Sequence, residues 1–112
     1  MKLHTSTVHG VISAIEDIFK NNRYADKVIE RTLRSNPKWG ARDRGFIAES
    51  VYDMVRWWKL INKVSPSEDT YHLFGTYWLL QGNELPDWRE FKGIDSKMVE
   101  HKFNKIEDRA TL

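Results

Sequence analysis

Apolar residues recur along this chain at helical spacing, and no segment alternates convincingly with the period of two that marks a half-buried strand. Val8, Val11, Ile12, Ile15 and Phe19 define a first helix, with Thr5, Ser6 or Thr7 available as N-cap and an end near Asn21-Asn22. A second helix is predicted from about Arg23 to Ser35, where Asn36-Pro37 stops it, because a residue before proline is pushed out of the helical region. The third and longest runs from about Ala41 to Val64. Ile47, Val51, Met54, Trp58 and Ile61 form one continuous stripe along it, and Phe46, Trp57 and Leu60 form a second apolar strip. A helix apolar on two sides is sandwiched between others.

Ser65-Pro66-Ser67-Glu68 reads as a capping box with proline at the first helical position. It predicts a fourth helix from there to about Gln81, with Gly82 as its C-terminal stop. Leu85-Pro86-Asp87 opens a short helix toward Phe91, and Asp95 or Ser96 caps a last one carrying Val99, Phe103 and Ile106. The expectation is therefore all-α: a compact bundle of five to six helices around a central long helix, one domain spanning residues 1–112.

Composition narrows the chemistry. At 40% hydrophobic and 12% aromatic the chain has the apolar content of a folded domain rather than a disordered one. There is no Cys, which removes disulfides, thiolate nucleophiles and Cys-ligated metals. No apolar run approaches membrane-spanning length, so a cytoplasmic location is expected. The net charge of +2 conceals an asymmetry: residues 20–59 carry ten basic and five acidic groups, while the remainder is −3. A basic block of this kind suggests a polyanion partner.

Within it, Arg23, Lys27, Arg31 and Arg34 step 4-4-3 along the second helix, on a face opposite Ala25, Val28, Ile29 and Leu33. Such a row is either a solvated face, softened by Asp26 and Glu30 on its flank, or a ridge that tracks phosphates, extended by Lys38 and Arg42. Four contacts on single-stranded RNA would make log affinity fall with log salt with a slope of about −3.

The stretch Gly40-Ala41-Arg42-Asp43-Arg44-Gly45-Phe46 sets two arginines at the start of a helix, where the macrodipole disfavours positive charge. Extending the core stripe back from Ile47 lands on Arg44, whereas Arg42 lies about 200° away on the outer side. Arg44 therefore needs a carboxylate or carbonyl partner, and Asp43 with Arg44 is expected to form a structural ion pair. Arg42 is left to meet a ligand or solvent.

Residues 41–57, Ala-Arg-Asp-Arg-Gly-Phe-Ile-Ala-Glu-Ser-Val-Tyr-Asp-Met-Val-Arg-Trp, resemble the hallmark segment of NusB-like helical domains. They look in particular like the N-terminal domain of Sun/RsmB-type RNA (cytosine-5) methyltransferases, as does Arg23-Tyr24-Ala25-Asp26-Lys27-Val28-Ile29 upstream. Asp53 stands where that family usually has Gly, and no arginine precedes Arg23, whereas antitermination NusB proteins carry an arginine-rich first helix. The resemblance implies a longer parent protein. It would have a C-terminal domain that binds S-adenosylmethionine and uses cysteines in Pro-Cys and Thr-Cys motifs.

This chain carries neither a nucleotide-binding glycine loop nor a cysteine. On its own it is expected to be non-catalytic and without a cofactor: an RNA-binding, substrate-positioning domain of a ribosomal RNA methyltransferase, in contact with its own catalytic domain. The alternative is a protein-docking domain, with Trp88 and Phe91 exposed as the docking spot. A freestanding enzyme is disfavoured. His4, His9, His72 and His101 lack metal-ligand spacing, and Glu16-Asp17 and Glu68-Asp69 read as surface or first-turn acids rather than an acid/base pair.

Overall fold

A computed structural model of the chain describes residues 2–106. Its order is α1 (Thr5–Lys20), α2 (Ala25–Ser35), α3 (Ala41–Arg56), α4 (Trp58–Val64), α5 (Thr70–Leu80), a single 3-10 turn (Arg89–Phe91) and α6 (Ser96–Asn104). No strand occurs among the described residues, so the chain is all-α. The expected central long helix is two helices: its backbone leaves the helical path at Trp57 (φ −104°, ψ 23°), and the division between two compact units falls between Trp57 and Trp58. The apolar stripe runs straight through that point, from Met54 to Ile61, so periodicity carries no sign of the break.

The first unit is a three-helix arrangement in which α1, α2 and α3 each pack on the other two. Its core is Val8, Val11, Ile12, Ala14 and Ile15 from α1, Val28 and Ile29 from α2, and Phe46, Ile47, Val51 and Met54 from α3. Ile18, not Phe19, completes the buried face of α1; Phe19 is 37% exposed. Gly10 sits mid-helix, where glycine costs about 1 kcal/mol relative to alanine. Close approach explains it: a Cβ there would stand 2.9 Å from the Trp39 ring and 3.4 Å from Ile47. The Trp39 indole N–H donates to Ser6 Oγ at 3.0 Å, which fixes the ring over that gap.

Arg44 finds its partner through space. Its guanidinium donates to the Leu33 carbonyl at 3.0 Å, and no ion pair joins it to Asp43. Leu33 lies in the last turn of α2, where carbonyls lack intrahelical donors and the dipole favours a cation. Arg44 thus closes the C-terminal end of α2 from the first turn of α3, and the expected Asp43–Arg44 pair is replaced by a side chain-to-backbone clasp. Because Arg44 is half-buried, Arg44→Ala is expected to cost about 1–2 kcal/mol, less than a fully buried ion would. Arg42 is exposed, and Arg42→Ala should stay within about 0.5 kcal/mol. Equal shifts in urea denaturation of the two variants would contradict this assignment.

The second unit is organised by α5, which packs against α4, α6 and the 3-10 turn. The capping box is not used. Ser65 Oγ donates to the Ser67 carbonyl instead, residues 65–68 form a bend, and Asp69 caps α5 by accepting from the amides of Tyr71 and His72. The bend is tied down by His72, whose ring nitrogens bond Ser67 Oγ at 2.7 Å and the Lys92 carbonyl at 2.8 Å. Gly82, at φ +90°, ends α5 as its residue type suggests, and Asp95 caps α6 by accepting from the Lys97 amide.

The core of this unit is aromatic. Phe74 stacks on Trp78 and Phe91, with centroids 6.0 and 6.2 Å away, and Trp88 in turn stacks on Phe91 at 5.4 Å. Phe91 is only 4% exposed and Trp88 is half-buried against it, so the expected docking spot is instead part of the core. Among the described residues, no helix is long and apolar enough to cross a membrane.

Candidate nucleic-acid interface

The row of basic residues on α2 survives in three dimensions, with a changed beginning. The helix starts at Ala25, so Arg23 and Tyr24 belong to the connection from α1. That connection turns at Asn22, whose φ of +53° lies in the left-handed region that Asn tolerates. The Arg23 amide then donates back to the Ile18 carbonyl at 3.2 Å. This brings Arg23 level with the first turn of α2. Asn22, Arg23, Tyr24, Lys27, Glu30, Arg31 and Arg34 line one open groove of about 440 Å³.

All four basic residues expected on the ridge are therefore assembled, and all are exposed. Lys38 and Arg42 are exposed as well, but neither lines the groove: Lys38 sits in the turn after α2 and Arg42 at the start of α3.

The cations are not all free. Asp17, on α1, receives Arg23 Nε at 3.3 Å, the guanidinium of Arg31 and the Asn21 amide at 2.7 Å. Arg34 pairs with Glu30 at 3.4 Å, one helical turn away. Among the described residues, Lys27 pairs with none. Asp26, expected to soften the ridge, accepts the Tyr52 hydroxyl of α3 instead. Four positive groups thus stand against two carboxylates, a net of two charges. By sequence alone Asp17 is an ordinary surface acid, yet it holds two ridge arginines in place. Residues 14 positions apart on neighbouring helices leave no spacing rule by which to see that.

The hydrogen bond from Asn21, followed by the charges of Arg31 and Arg23, holds the Asp17 carboxyl below its ordinary pKa against an opposing desolvation. The sign of the linkage follows. A depressed carboxylate stabilises the fold above its unfolded pKa, near 3.8, and that contribution is lost as pH falls through the lower folded value. Asp17→Asn should therefore show a flatter loss of stability below the ordinary carboxylate range than wild type. Urea titrations across an acid pH series measure it; parallel acid limbs would contradict the assignment. Tyr52 is shifted the other way: its hydrogen bond to Asp26 raises the phenol, aided by desolvation and the carboxylate's charge.

Chemically the groove offers guanidinium and ammonium donors to phosphate oxygens along a path set by α2. It holds no nucleophile with an adjacent base, and among the described residues no group of three or more metal-ligating side chains converges anywhere. No family model, curated protein or solved structure matches the chain.

Proposed function

We propose that the chain is a non-catalytic RNA-binding domain that holds an RNA backbone in the groove along α2. The observation that carries this reading is the convergence of Arg23, Lys27, Arg31 and Arg34 on one groove with two net positive charges. The clasp by Asp17 favours it further, because it orders two long side chains before binding and so lowers the entropy lost on contact. The resemblance of residues 41–57 to NusB-like N-terminal domains supplies the context we propose: positioning ribosomal RNA for an S-adenosylmethionine-dependent (cytosine-5) methyltransferase domain elsewhere in a longer parent protein. This chain would contribute no catalytic residue and bind no cofactor.

Gel-shift measurements with structured and single-stranded RNA test the reading. The variant with Arg23, Lys27, Arg31 and Arg34 all changed to Gln should lose binding at least about tenfold near 0.1 M salt. Circular dichroism should show it still folded, since these side chains are exposed. Undiminished binding by the folded variant would remove RNA from this groove.

A further inference from the structure

Tyr24 is 84% exposed, far more than the other large hydrophobic residues at the surface, Phe19, Tyr52 and Met98. Its ring makes no hydrogen bond or ring contact with any described residue. Its backbone, by contrast, is held on both sides. Asn22 makes the left-handed turn before it, and Arg23 is fastened by its amide to Ile18 and by its side chain to Asp17. On the other side, the Tyr24 carbonyl accepts the first bond of α2, from the Val28 amide at 3.1 Å. An apolar ring is therefore presented to solvent from a fixed base, at the edge of a groove whose other lining residues are all polar or charged.

An aromatic ring anchoring a protein partner sits within a desolvated rim. Tyr24 shares its groove with Arg23, Lys27, Arg31 and Arg34, whose charges favour water or phosphate. Its setting matches single-strand recognition, in which cations track the backbone and an aromatic face takes an unpaired base. Resting on the RNA-binding reading above, we infer that Tyr24 is a stacking platform for a base of single-stranded RNA, and that it makes the groove prefer single strands to duplex. In a duplex the bases are stacked on one another, and only the phosphates would reach the groove.

Fluorescence anisotropy of the full chain provides the test, with three probes: a labelled oligoadenylate of about ten nucleotides, a ribose-phosphate oligomer of the same length lacking bases, and a matching RNA duplex. Tyr24→Ala should weaken oligoadenylate binding roughly 5- to 150-fold, the range expected for loss of one base-aromatic stack. It should leave the baseless oligomer and the duplex unaffected, and Tyr24→Trp should retain oligoadenylate binding. Two results would overturn the inference while leaving the groove reading intact: oligoadenylate binding unchanged in Tyr24→Ala but lost in the quadruple Gln variant, or an equal loss on all three probes in Tyr24→Ala. Failure of the wild-type chain to bind any of the three would overturn both.

Discussion

Phe74→Ala is expected to destabilise the second unit by about 3–5 kcal/mol, the usual range for truncating a buried aromatic. Phe74 is wholly buried and stacks with two neighbours, Trp78 and Phe91, with Tyr77 tilted against it at 5.9 Å. The cost comes from lost apolar burial and from a cavity that the surroundings cannot close. Trp78 and Tyr77 are fixed to the same helix, and the segment carrying Phe91 is already as close to α5 as it can come. At Gly75 an added Cβ would lie 2.5 Å from Ile94 and 3.3 Å from Phe91, so the approach depends on glycine. Phe74→Leu, which keeps most of the volume, should cost no more than about 1.5 kcal/mol. Urea denaturation followed by tryptophan fluorescence measures both; a loss under about 1 kcal/mol for Phe74→Ala would mean that the ring stack is not the core of this unit.

Ile47→Ala should cost about 2–5 kcal/mol in the first unit, and Ile47→Val about 0.5–1.5 kcal/mol. Ile47 is completely buried on the α3 face that packs against α1, close to Gly10, where backbone and side chains already meet tightly. The void left by truncation would open between helices held together by the Trp39–Ser6 bond, the Arg44–Leu33 clasp and the Tyr52–Asp26 bond. The same denaturation experiment applies, and equal stability of Ile47→Ala and Ile47→Val would show that the site collapses or is not packed as described. Neither variant touches the groove-lining side chains.

What the chain reveals before folding depends on whether its signals are local. The all-α class, the stripe from Val8 to Ile15, the stop at Gly82 and the cap at Asp95 all rest on interactions within a few residues, and they hold. The exposed basic face of α2 is legible for the same reason: helical spacing alone sets Lys27, Arg31 and Arg34 opposite Val28 and Ile29, whereas Arg23 precedes the helix and joins them through the turn at Asn22. The capping box fails because Ser65 has a local competitor, the Ser67 carbonyl, and because Asp69 is one more acceptor three residues before His72. The break at Trp57 is invisible because an apolar stripe does not report a change in backbone direction.

Partnerships across helices are the least legible. Arg44 meets a carbonyl 11 residues upstream, and Arg31 meets a carboxylate 14 residues upstream. The exposure of Tyr24 is hidden in the sequence for a related reason. It lies four residues before Val28, which would place it on the buried side if the helix began early enough. Because α2 begins at Ala25, Tyr24 is extended and its ring turns outward.

The salt dependence of RNA binding tests the central claim most directly. Four cations against Asp17 and Glu30 leave two net charges, so the slope of log affinity against log salt on single-stranded RNA should be about −1.4, rather than the −3 or so of four free contacts. Asp17→Asn, by releasing Arg23 and Arg31, should steepen it to about −2.1, and the quadruple Gln variant should abolish it. A slope that is the same in all three proteins, each shown to be folded, would place any RNA contact elsewhere on the chain and contradict the account.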